Sequence, residues 1–149
     1  MDQTQLSAIG EISQLKARYL RFVDLKLWHN LKALFTPDAT LFFPEGQDTP
    51  LPRDAAIAMI AQALEGSISV HHGHMPDIEI SGDRAHGIWA MEDRIVWPSD
   101  RPSVLGLETL HGFGHYHEDY VLRDGRWLIE TLKVTRLWSR AIPPARSIA

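Results

Sequence analysis

The chain has 149 residues, 44% hydrophobic and 23% charged, with no cysteine and a formal net charge of −4. That length suits one globular domain burying roughly two-thirds of its unfolded surface, held by packing alone, since disulfides, thiolate nucleophiles and sulfur-ligated zinc are excluded. The acidic balance supplies no basic patch for phosphates, so nucleic acid is not an expected partner; no apolar run approaches the ~20 residues that cross a bilayer and the N-terminus lacks a leader pattern, so no membrane partner and a cytoplasmic location are expected.

Leu6, Ile9, Ile12, Leu15, Tyr19 and Phe22 recur every three or four positions, which predicts an amphipathic helix from Leu6 to Val23. A shorter helix is predicted over 27–35, with Trp28, Leu31, Leu34 and Phe35 on its stripe, stopped at "TPDA" because Pro37 disfavours helix at Thr36. "TLFFPE" reads as a strand, and "TPLPRDAAIAMIAQALEG" as a third helix that begins at prolines and ends at Gly66. After Gly66 the period changes. "ISGDRA" and "LRDGRW" carry hairpin turn pairs, so long antiparallel strands are predicted over 69–80, 84–97, 104–122 and 126–138, followed by a tail over 141–149. Helices first and strands afterwards give one α+β domain, core about 6–138, in which three N-terminal helices pack on a curved antiparallel sheet shaped as a cone-like barrel. A cavity between sheet and helices would take a small hydrophobic molecule.

Chemistry-bearing residues gather around that expected cavity. Asp24, in "RYLRFVDLKLW", follows a strongly apolar helix and is either a solvated helix end or a carboxylate at the cavity mouth. The run "SVHHGHMPDIEI" places three histidines in four positions. Side chains alternate in a strand, so only one of His71 and His72 can face the cavity; His71 shares its face with Gly73 and Met75, His72 with His74. A histidine beside a carboxylate is suited to general-base work. His72-x-His74 and His115-x-His117 have the strand spacing of a metal site, weighed against a polar outer face or a subunit interface. In "GIWAMEDRIVW" parity joins Trp89, Met91, Asp93 and Ile95 on the more apolar face, making Asp93 a second inward acid that could pair with Arg94, Arg126 or Arg136. In "HGFGHYHEDY" Gly112, Gly114, Tyr116 and Glu118 share a face, the glycines leaving room for a ligand or a bulky neighbour.

Taken together, "ARYLRFVDLKLWHNLKALFTPDATLFF", "VHHGHMPDIEISGDRAHG" and "YHEDYVLRDGRWLIETLKVTRLW" resemble the SnoaL-like branch of the nuclear transport factor two-like superfamily. The resemblance implies the same cone-shaped α+β barrel, assembly as homodimers or homotrimers, and cofactor-independent chemistry without metal. In its elimination enzymes a histidine removes a proton and an aspartate orients it; those roles fall on His71, with His72 as the alternative, and on Asp24. Tyr19 takes the place of a helping tyrosine five residues before the aspartate, although five helical steps separate the two by about 140° unless the helix ends near Asp24. Asp93 is the candidate second acid. Trp28, Trp89, Met91, Gly114, Tyr116 and Arg136 are candidates for the substrate-binding wall. The expected activity is a lyase of dehydratase type, or an isomerase, acting on a steroid-, terpene- or polyketide-like molecule; the other readings are a binding or assembly module of the same fold, and a histidine-rich metal site. Trp97, Phe113 and Trp138, placed on the outer sheet face, point to a homo-oligomer.

Overall fold

The computed structural model describes residues 1–145. Two helices, α1 (Gln3–Asp24) and α2 (Trp28–Lys32), are followed by two strands, β1 (Phe35–Phe42) and β2 (Leu51–Pro52), and a third helix, α3 (Arg53–Ala63), before the run β3 (Ile68–Ser81), β4 (Arg84–Val96), β5 (Thr109–Arg123) and β6 (Arg126–Ile142). The six strands form one curved, unclosed sheet in the order β2-β1-β6-β5-β4-β3, antiparallel except where β1 runs parallel to β6. This is the α+β cone fold read from the sequence, with an open rather than a closed barrel.

Both ends of α1 are built by its sequence. Asp2 accepts from the Gln5 backbone while the Gln5 side chain accepts from the Asp2 backbone, a capping box. At the other end Lys26 takes φ 57°, and the Leu27 and Lys26 amides donate to Phe22 and Val23, closing a Schellman turn with lysine in the left-handed position. The helix therefore stops at Asp24 and turns its last side chain toward β3. Ile12, Leu15, Tyr19 and Val23 are buried on the sheet-facing stripe.

Several boundaries differ from the sequence reading. α2 ends at Lys32, and Pro37 sits inside β1, where the pairing with β6 shifts between Phe35 and Thr40 because proline has no N–H for the ladder. Residues 104–108, expected as strand, form a connection, and β5 starts at Thr109. β6 runs to Ile142, whose partner is Thr109, so residues 141 and 142 belong to the sheet rather than to a tail; residues 146–149 lie outside the described residues. No helix among the described residues is long and apolar enough to cross a membrane.

Candidate functional site

Alternation along the long strands decides what lines the inside. On β4, Trp89, Met91, Asp93 and Ile95 are buried while Ala90, Arg94 and Val96 are exposed, and on β5, Gly112, Gly114, Tyr116 and Glu118 are buried. Between this face, α1 and α3 lies a largely apolar cavity of about 160 Å³, walled by Tyr19, His71, Asp93, Trp97, Tyr116 and Arg136 among others, with Glu45 and Gly46 also in its lining.

Asp24 and His71 meet at one side of this cavity. The Asp24 Oδ1 atom lies 2.7 Å from His71 Nδ1, its Oδ2 accepts from the His71 backbone amide at 3.1 Å, and Ser69 Oγ donates to Oδ1 at 3.1 Å. β3 is the last strand of the sheet, so this amide, at its open edge, would otherwise lack a partner; the carboxylate that supplies one also fixes the ring. No protein group among the described residues holds His71 Nε2, which is thereby left as the free ring nitrogen of a cavity-lining histidine. A ring tethered this way donates through Nδ1 and accepts through Nε2. His72 is on the opposite face, exposed, with its ring centroid 5.7 Å from that of His74, so parity removes it from the cavity. Met75 leaves the cavity face too: it lies within the register shift between His74 and Asp77, has φ 33° and is 91% exposed.

Tyr19 and Tyr116 form an edge-to-face pair with centroids 5.8 Å apart. Both line the cavity, and no side-chain hydrogen bond engages either hydroxyl among the described residues. Burial, reinforced by nearby negative charge, pushes both phenols well above their ordinary range, so they stay neutral donors. α1 ends at Asp24; Tyr19 lines the cavity, while Asp24, outside its lining, meets it through His71.

Asp93 does not stand as a free acid. Arg136 clasps it with two parallel bonds of 2.7 Å, Nη1 to Oδ1 and Nη2 to Oδ2, while its Nε donates to Glu45. Burial alone would lower the guanidinium, but its bonds and charge contacts with Asp93 and Glu45 outweigh that and raise it further above its ordinary range. The arginine fits only because Gly112 has no side chain: a Cβ there would lie 2.5 Å from Arg136 Nη1.

Of the expected wall residues, Met91, Tyr116 and Arg136 line the cavity. Trp28 packs half-buried at the edge of the core, and Trp89 is buried with its indole N–H donated to the Tyr120 hydroxyl at 2.9 Å; neither is among the cavity's lining residues. Gly114 leaves no room for a ligand, since a Cβ would meet the Thr135 carbonyl oxygen at 1.9 Å where the β5–β6 register shifts. Trp97, expected outside, is 2% exposed and lines the cavity. The histidine pairs face outward, His115 and His117 with rings 6.2 Å apart and His117 bonded to Thr135; no group of three or more metal-ligating side chains occurs among the described residues.

Beneath the tyrosines lies a buried network that sequence reading passed over. Lys16 is paired with Glu118, whose other oxygen accepts from Tyr120, and the ammonium sits 3.3 Å from the Tyr116 ring centroid and 4.1 Å from that of Tyr19. Burial pulls Lys16 down to about 8 against the opposing effect of Glu118. Its signal was present: Lys16 shares the helix stripe of Ile12, Tyr19 and Val23.

A family profile described as the SnoaL-like domain matches residues 4–133. The chain belongs to the SnoaL-like family. Within reach of this SnoaL-like chain is the probable cyclase FGR4 of Gibberella zeae, 26% identical over 142 residues, covering 88% of this chain and 92% of the cyclase. Among solved structures, a putative scytalone dehydratase from Novosphingobium aromaticivorans superposes with a TM-score of 0.79 at 19% identity over 99% of both chains. The hexachlorocyclohexane dehydrochlorinase LinA-type3 from Novosphingobium barchaimii does so at 0.76 and 20%, over 100% of this chain and 99% of that one. These structural likenesses establish the cone fold.

Proposed function

We propose that the protein is a cofactor-independent lyase of dehydratase type, or an isomerase, in which His71 is the general base. The observation that carries this is the Asp24–His71 hydrogen bond of 2.7 Å at the rim of a largely apolar cavity, with Nε2 free. In an elimination, Nε2 takes a proton from carbon, the C–H electron pair becomes the new double bond, and the leaving group departs from the adjacent carbon with its own pair. Where that group is hydroxide, the proton held on His71 completes a water molecule. Asp24 keeps Nδ1 protonated and stabilises the imidazolium as it forms, the role a carboxylate plays behind a histidine base. Tyr19 and Tyr116 supply neutral donors for an oxygen that gains charge. Isomerisation differs only in that His71 returns the proton to another carbon.

Two similar solved proteins, a putative scytalone dehydratase and a hexachlorocyclohexane dehydrochlorinase, fit such a reaction. A cavity of about 160 Å³ is close to engineered apolar cavities of about 150 Å³ that hold benzene, which favours a substrate of one or two rings over a full steroid. A homodimer or homotrimer is supported by the outer sheet face, where the Phe113 and Trp138 rings stack at 5.4 Å beside exposed Leu137.

Proton abstraction is tested without knowing the natural substrate by following deuterium uptake at the α-carbons of trans-2-decalone in heavy water. The wild type is expected to accelerate uptake, and His71→Ala and Asp24→Asn to reduce it by about 10²–10⁴-fold with circular dichroism unchanged. Uptake equal in wild type and both variants would remove His71 from the role of base.

A further inference from the structure

Trp97 follows β4 on the cavity wall, 2% exposed, and its indole Nε1 is buried with no hydrogen-bond partner among the described residues. Its position is fixed: the Trp97 amide donates to the Glu108 carbonyl at 2.8 Å, and the Glu108 amide to that of Ile142 at 2.7 Å, tying the connection after β4 to the end of β6. The other buried indole on β4 behaves as expected, since Trp89 Nε1 has the Tyr120 hydroxyl. Buried polar groups in native proteins are paired in the great majority, and an indole N–H can only donate. Among the described residues no protein oxygen answers Trp97, and the cavity that it lines is where an acceptor can come from.

We infer that Trp97 is a specificity residue whose indole N–H binds an acceptor oxygen at the far end of a neutral, one- or two-ring substrate. Position follows from register. His71 pairs with Asp93 across β3 and β4, and Trp97 lies four residues further along the chain of β4, about 13 Å by strand rise. The reacting carbon and the second oxygen therefore sit at opposite ends of the ligand. Charge sets the oxygen's kind. At the cavity, Glu45 and Asp93 face one guanidinium that already serves both of them, so a carboxylate or phosphate would meet a surplus of negative charge and no unused cation among the described lining residues. A carbonyl, hydroxyl or ether oxygen satisfies the indole at no such cost. Leu105, Leu110 and Ile95 line the cavity along with Trp97 and hold the intervening carbon frame.

This assignment rests on reading the cavity as the substrate site, but its test measures binding and leaves the Asp24–His71 chemistry aside. The probes are trans-decalin-2,6-dione and its isostere 6-methylene-trans-2-decalone, which differ by one acceptor oxygen. Titrated into ¹⁵N-tryptophan-labelled protein, the dione is expected to move the Trp97 indole proton downfield, the isostere to leave it in place, and the dione to bind about tenfold more tightly. Trp97→Phe should abolish that preference while the isostere binds as before. A Trp97 resonance unmoved by the dione, equal affinities in the wild type, a preference that survives in Trp97→Phe, or binding of neither compound would each overturn the assignment. In all four cases a loss of deuterium uptake in His71→Ala would still stand, so the two readings fail separately.

Discussion

Removing the Lys16 ammonium while keeping its stem, as in Lys16→Met, would leave the Glu118 carboxylate fully buried with Tyr120 as its remaining partner. Breaking a buried pair from one side costs about 3–5 kcal/mol, a large share of the ~5–15 kcal/mol that holds a domain together. Adding Glu118→Gln discharges the stranded group and keeps an acceptor for Tyr120, so the double variant should recover at least ~2 kcal/mol over the single one. Urea unfolding followed by tryptophan fluorescence at pH 7 should therefore place Lys16→Met about 3–5 kcal/mol below the wild type and the double variant above Lys16→Met. The tyrosines beside the pair add a pH signature: Tyr19, Tyr116 and Tyr120, raised by burial, stay protonated when folded but ionise near 10 when unfolded, which lowers stability above that pH. A Lys16→Met protein as stable as the wild type, or a double variant no more stable than Lys16→Met, would refute the buried ion pair.

Other substitutions read other parts of the site. Asp24→Asn should change the tautomer of His71, shifting the ¹⁵N resonances of Nδ1 and Nε2 toward those of an untethered ring, whereas Ser69→Ala, which removes a single donor to the same carboxylate, should leave the tautomer as it is. Gly112→Ala places a methyl group 2.5 Å from Arg136 Nη1 and should displace the guanidinium from Asp93, costing about 1–3 kcal/mol in thermal unfolding. Gly114→Ala meets backbone rather than a movable side chain and should cost more, ~3 kcal/mol or above by the same measurement. Trp138→Ser together with Phe113→Ser removes the stacked pair from the outer face, and light scattering is expected to report a smaller assembly than the wild type.

What could be read from residues alone follows the range of the interactions concerned. The stripe of α1 and the alternation of β3, β4 and β5 are local periodicities: they group Asp93 with Trp89, Met91 and Ile95, group Tyr116 with Gly112, Gly114 and Glu118, and allow one of His71 and His72 inward. Parity said only that one of His71 and His72 faces inward; the preference for His71 came from the resemblance, and the hydrogen bond to Asp24 is what selects it. Trp97 was placed on the outer face with Phe113 and Trp138 although the predicted strand 84–97 gives it the parity of Asp93 and Ile95, and the structure buries it as that parity requires. Arg136 was named among several possible partners of Asp93, but the selection depends on Gly112, two strands' worth of chain away, making space for the guanidinium. Glu45 reaches Arg136 across 91 positions, a contact with no sequence signature. Lys16 was the legible residue left unread. A lysine on the stripe of Ile12, Tyr19 and Val23 must be buried if the helix is placed as its neighbours require, and a buried lysine demands a carboxylate. Glu118, on the inner face of β5, was the acid that parity had already turned toward it. Treating each charged residue on an apolar stripe as a demand for a partner thus predicts a contact spanning 102 positions, which periodicity by itself does not.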